Sequence, residues 1–143
     1  MITNLWHSWL DMPKYDQKWH RDDIKDELRE YEGSRGFFNR WSEVSDVVYT
    51  YTRARWTGHK KINWPLKWWQ LFWGLLYMYP KYTLRWWFFH RVGKRFHKHV
   101  HVTEVRNPKK ETKLREIARR NKLDEEEFVK ECRRLEKYWI FLP

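Results

Sequence analysis

The chain has 143 residues and a formal charge of +11 at pH 7, with 41% hydrophobic, 20% aromatic and 34% charged residues. That length suits one domain with one core, and the aromatic content argues against disorder, because a buried ring removes more area from water than a valine or leucine does. The single cysteine, Cys132, excludes an internal disulfide and a thiolate zinc site and points to a reducing, cytoplasmic setting.

The first residues lack a basic start followed by an apolar run and a small-residue cleavage site, so no secretory leader is expected. Asn4 can cap a short helix over 5–11, carrying Leu5, Trp6, Trp9 and Leu10 and stopped by Pro13. Asp22 opens a charged helix, 22–32, with Ile24, Leu28 and Tyr31 at helical spacing, and Gly33 and Gly36 punctuate its end. Over 37–56, Phe37, Trp41, Val44, Val48 and Tyr51 fit one helical face, although the run VVYTYT has strand character; helix is the reading adopted. Thr57, Gly58, His59, Lys60 and Lys61 form an exposed basic loop.

Pro65 is placed at the first turn of a helix reaching residue 79, with Asn63 or Trp64 at its cap, and Pro80 is expected to break it. The uncharged run 68–79, at about 1.5 Å per residue, falls short of a hydrocarbon core roughly 30 Å thick, which excludes spanning but leaves an interfacial position open. A second aromatic helix over 83–96 sets Leu84, Trp87, Phe88 and Arg91 on one side and Arg85, Phe89 and Lys94 on another. Residues 97–105 alternate as a short extended segment, and Asn107-Pro108 makes a turn. Thr112 can cap a helix bearing Leu114, Ile117 and Ala118; Asp124 with Glu127 starts another bearing Phe128, Val129, Cys132, Leu135 and Trp139.

The class expected is therefore mainly α: a compact single-domain helical bundle with a C-terminal helical hairpin and at most one extended segment, at 97–105. Its parts are an acidic helical region over 1–50, a basic aromatic segment over 51–110 and the hairpin over 111–143. Trp41, Trp68, Phe72, Leu75, Trp87 and Trp139 are assigned to the core, Trp56 and Trp86 to the rim.

The hairpin has the outline of a helix-turn-helix, but its second helix would begin Asp124, Glu125, Glu126, Glu127, and four carboxylates entering a major groove would meet phosphates on both sides. At a helix N-terminus the same acids complement the macrodipole, which is the better reading. His97, His99 and His101 alternate along one face, but Arg95 and Lys98 oppose a divalent cation there, so no metal is expected. No Gly-rich phosphate loop, paired carboxylates or nucleophile beside a base can be read from the chain, and Cys132 falls at a core position. Neither catalysis nor a cofactor is expected.

What remains is charge. Fourteen Lys and Arg fall within 51–110 against one acid, Glu104, so that segment carries +13 while 1–50 carries −3 and 111–143 carries +1. Seven of the twelve tryptophans lie in the same segment. Cations among flat rings suit nucleic acid, since phosphates relieve the self-repulsion and bases stack. The expected function is non-catalytic binding of nucleic acid, RNA or a ribonucleoprotein foremost, through Arg53, Arg55, Trp56, Lys60, Lys61, Arg85, Trp86, Arg91, Lys94, Arg95 and Lys98. Alternatives are a protein-interaction module of a larger nucleic-acid-handling complex and, third, membrane-surface association.

Overall fold

The computed structural model describes residues 2–99 and 109–139. Among them it contains six helices and no strand: α1 (Ile2–Trp9), α2 (Gln17–Gly33), α3 (Phe37–Trp56), α4 (Trp68–Arg95), α5 (Glu111–Arg120) and α6 (Glu125–Glu136). The mainly α class is thus what the hydrophobic periodicity predicts. The chain packs as two compact units, Met1–Pro80 and Lys81–Pro143.

In the first unit α2 begins at Gln17 rather than Asp22, because Asp16, in an extended conformation, accepts a 2.7 Å hydrogen bond from the Trp19 amide and so caps the helix earlier. Helix α1 likewise begins ahead of Asn4. Helix α3 runs unbroken through the β-branched stretch. Val44, Val47 and Val48 are buried there, and the Thr50 and Thr52 hydroxyls donate to the Val47 and Val48 carbonyls at 3.1 and 2.8 Å. Burial and local hydrogen bonding outweigh the weak helix propensity of these residues. Gly58, at φ 98°, closes α3 in a left-handed turn whose next amide, His59, bonds the Ala54 carbonyl at 3.1 Å.

Helix α4 corrects two expectations. It starts at Trp68, not near Pro65: the Gln70 side chain accepts from the Lys67 amide at 3.0 Å, and Trp64 Nε1 donates to the Lys67 carbonyl, so 64–67 form a non-helical lead-in to the helix. Nor does Pro80 end it. The missing N–H forfeits the bond to the Leu76 carbonyl, but Pro80 and Leu76 are both exposed, where water can replace it. Gly74 lets α4 lie close to α3, since a Cβ there would overlap the Val48 side chain and touch Val44.

In the second unit, Phe88, Phe89 and Val92 of α4 are buried, Phe88 meets Trp139 edge-on at 6.2 Å, and Phe96 lies 5.7 Å from Phe128. Helix α4 closes with His97 at φ 53° and the Lys98 amide bonded to the Gly93 carbonyl at 3.0 Å. The expected extended segment falls largely on residues 100–105, and the Asn107-Pro108 turn wholly, outside the described residues.

The α5–α6 hairpin forms as expected, burying Leu114, Ile117, Ala118, Phe128, Val129, Cys132 and Leu135. Asp124 caps α6 through the Glu127 amide at 2.8 Å, whereas α5 is preceded by Lys110 rather than capped by Thr112. The acids that open α6 have partners on α5: Arg115 bonds Glu126 and Glu111, both at 2.7 Å, and Arg119 bonds Glu125 at 2.7 Å. These arginines are engaged within the hairpin, and the acids facing them are structural.

Candidate anionic-ligand face

The eleven residues selected from the sequence separate into groups of different character. Arg53 is 1% exposed. Its guanidinium lies 5.0 Å from the Tyr15 ring and 4.8 Å from the Trp19 ring, and Nη2 donates to the Pro13 carbonyl at 2.8 Å. It is a pin between α3 and the loop after α1, and its position removes it from any surface. Arg85, 5% exposed, is also interior. Sequence spacing cannot distinguish a cation that sits under rings from one beside them.

Arg55, Lys60 and Lys61 are exposed on the first unit, where Arg55 Nη1 donates to the Lys60 carbonyl at 3.1 Å and steadies the 57–61 turn. Trp56 is half-buried: its Nε1 donates to Ser8 Oγ at 3.0 Å, its ring stacks on His7 at 5.9 Å, and Lys14 lies 5.2 Å from it. That ring holds α1 against α3.

On the second unit the last turns of α4 carry the remaining group. Arg91, Lys94, Arg95 and Lys98 are all exposed, and none is in an ion pair among the described residues. The phase assigned to the neighbouring tryptophans is inverted. Trp86 is half-buried and stacks on His90 with ring centres 5.0 Å apart and planes 7° apart, whereas Trp87 is 53% exposed. Trp87 lies one turn before Arg91 on the exposed side and belongs to the cationic group in place of Trp86. His90 is held below its ordinary pKa by desolvation first and then by the charges of Lys94 and His99, so it faces this group as a neutral ring. Arg95 also adds to the field that, after the Arg134 hydrogen bonds, keeps Glu131 ionised below the usual carboxylate range.

Two other core assignments are overturned. Trp68 and Phe72 are exposed, while Trp41, Leu75 and Trp139 are half-buried. The surplus rings gather on the first unit, where Phe37, Trp41, Val44, Trp69 and Trp73 line a groove of about 380 Å³ with Tyr31.

Paired carboxylates, which the sequence does not lead one to expect, are present. Glu27 and Glu30 on α2 and Glu43 on α3 bring ligand oxygens within 4.8 Å of one another, with Glu27 buried and Asp46 buried one turn beyond Glu43. The available signal was two i, i+3 acid pairs, Glu27/Glu30 and Glu43/Asp46, on consecutive helices. An all-oxygen set of this kind suits a hard divalent cation and, through it, phosphate oxygens. Acid clusters also stand without an ion, and Glu27, Glu43 and Asp46 each have further polar contacts.

Cys132 is buried, its thiol pushed up to about 12 by desolvation, which rules it out as a nucleophile near neutral pH. Among the described residues, no helix is long and apolar enough to cross a membrane. No protein-family model, no curated protein and no solved structure matches this chain.

Proposed function

We propose that this protein binds nucleic acid without catalysis, single-stranded or folded RNA foremost, through the exposed side of the C-terminal half of α4. The observation that carries the reading is the group Trp87, Arg91, Lys94, Arg95 and Lys98: four cations free of ion pairs among the described residues, beside an exposed ring, in a stretch with no acid between Asp46 and Glu104. Cations contact phosphates and release counterions, while the ring stacks on a base; neither contact requires a particular sequence, so modest base preference follows. The helix C-terminus adds its own negative end, which offsets part of the repulsion among these cations and lets them cluster in the free protein.

The test is binding of a mixed RNA pool across salt concentrations. Four phosphate contacts give a slope of log affinity against log salt of about −3, using about −0.7 per contact for single strands. Changing Arg91, Lys94, Arg95 and Lys98 to Gln should abolish that slope and reduce affinity by more than about tenfold at moderate salt. A shallow slope that survives the quadruple change, with binding to a protein partner instead, would replace this reading with an interaction module. Binding is expected to be unaffected by a chelator. Affinity that requires Mg²⁺ and disappears in Glu43→Gln would move the assignment to the carboxylates of α2 and α3.

A further inference from the structure

A second exposed surface lies on the first unit and has different chemistry. Along the start of α4, Trp68, Trp69, Phe72, Trp73 and Leu76 are each between 50% and 79% exposed. Their spacing of one, four, five and eight residues makes a continuous stripe, about 12 Å long at about 1.5 Å per residue. Phe37 and Phe38 at the start of α3 are 75% and 76% exposed, and Phe37 shares the groove with Trp69 and Trp73, so the two patches join. The Trp41 Nε1 bond to the Trp73 carbonyl, 2.9 Å, and the close approach at Gly74 fix α3 and α4 side by side beneath them. An apolar face of this size on a small protein marks a surface that meets something other than water.

We infer that this face seats on an anionic lipid bilayer, with its rings at the boundary between headgroups and acyl chains. Three features select that occupant. The stripe is dominated by tryptophan and phenylalanine, and tryptophan concentrates at the headgroup level because its ring is apolar and its N–H is not. Arg35, Arg40 and Lys67 are exposed beside it, and the α4 stripe lies in a stretch, 47–103, without Asp or Glu, so anionic headgroups are attracted along that side, while Glu30, Glu32 and Glu43 lie toward α2 and the start of α3. The +11 of the whole chain draws it toward a negatively charged surface at long range, while residues 1–80 themselves hold 12 Lys and Arg against 10 Asp and Glu, so attraction at this face rests on Arg35, Arg40 and Lys67. Since no described helix is long and apolar enough to span, the protein would lie on the membrane by this face rather than cross it.

The experiment is flotation of the full chain with vesicles of phosphatidylcholine alone and of phosphatidylcholine with about one third phosphatidylglycerol, read alongside tryptophan fluorescence. The wild-type chain should float with the anionic vesicles about tenfold more than with the neutral ones, with a blue-shifted emission. The triple variant Phe38→Ser, Trp68→Ser, Phe72→Ser replaces only exposed rings; it should keep the wild-type melting temperature and lose about tenfold in vesicle binding. The α4 variant with Arg91, Lys94, Arg95 and Lys98 changed to Gln separates this surface from the proposed nucleic-acid face: it should still float with the blue shift intact. Loss of flotation in that variant while the triple variant floats normally would overturn the inference, since vesicles would then be held by the cations of the second unit alone. So would failure of the wild-type chain to float, and in particular a stable dimer that dissociates on the triple substitution, which would give the face to a second copy.

Discussion

Replacing Arg53 with Met tests the most consequential relocation in the structure, from an expected phosphate contact to a fully enclosed cation. The substitution keeps most of the aliphatic length and removes the guanidinium. Lost with it are the 2.8 Å hydrogen bond to the Pro13 carbonyl and two ring contacts, to Tyr15 and Trp19. A hydrogen bond from a charged donor contributes roughly 1.5–3 kcal/mol, and each desolvated cation–ring contact up to about 2 kcal/mol. Met returns part of that by removing a charge from an interior where its hydration was lost, so a net cost of about 2–4 kcal/mol is expected. At about 2–4 °C per kcal/mol for a chain of this size, the melting temperature should fall by roughly 5–15 °C. Arg53→Lys should lose nearly as much, because an ammonium cannot lie flat between two rings while reaching the carbonyl. A second readout is specific to the charge. Arg53 is, after burial, the next cause holding His7 at about 3 and His20 at about 4, so NMR titration of Arg53→Met should show both histidines shifted upward. A variant that melts like the wild type and binds RNA less tightly would refute the enclosed placement.

The same histidines predict acid sensitivity: with folded values of about 3 and about 4 against an ordinary 6.5, the unfolded chain binds more protons below pH 6.5. Stability should therefore be level above that pH and fall as pH drops toward about 4, by up to about 1.4 kcal/mol per pH unit for each histidine; urea melts that stay flat from pH 7 to 4.5 would contradict it. Gly74→Ala should destabilise by about 1 kcal/mol, because overpacking against Val48 at roughly 1–3 kcal/mol exceeds the helix-propensity gain of about 1 kcal/mol, and a higher melting temperature would disprove the tight α3–α4 approach. Native Cys132 should react with thiol reagents only after unfolding, and Cys132→Ser should cost about 1–3 kcal/mol by burying a hydroxyl; rapid reaction in the folded state would refute its burial. Trp87→Ala should lower RNA affinity by roughly 1–3 kcal/mol without lowering the melting temperature, and an early melt would return that ring to the core.

Helix identity was legible wherever an apolar stripe and a cap occur together. The hairpin is the clearest case, since Asp124 caps as its spacing to Glu127 implies and Phe128, Val129, Cys132 and Leu135 fill one buried face. Helix α3 was legible despite its β-branched run, because the stripe through Val44 and Val48 extends over twenty residues and a strand of that length would be exceptional. What failed was phase and termination in α4. Its sequence is aromatic on nearly every side, so no stripe identifies the inward face, and adjacent rings about 100° apart such as Trp86 and Trp87 can exchange roles when the helix rotates. Proline is a helix stop by local chemistry alone, but a long helix with Pro80 on its exposed side needs only water to replace one bond.

The missed carboxylates and the misplaced Arg53 share a cause of another kind. Glu27 and Glu43 lie on different helices, and Arg53 meets Tyr15 and Trp19 from nearly forty residues away, so both arrangements exist only once α2 and α3 pack. A count of charges in a segment describes the unfolded chain's field; packing then divides those charges between the interior and the surface, here removing Arg53 and Arg85 from the surface while leaving Arg91, Lys94, Arg95 and Lys98 on it. The acid-free stretch between Asp46 and Glu104 therefore contributes to two surfaces rather than one, each within a single packed unit: an apolar face, shared with Phe37 and Phe38 of α3, on the first and a cationic face beside the exposed Trp87 on the second. Salt dependence separates them. Electrostatic contacts weaken in proportion to the number of cations used, whereas burial of rings is nearly indifferent to ionic strength, so salt should release a ligand of the second unit but at the first should remove only the preference for anionic lipid and leave the ring-driven part.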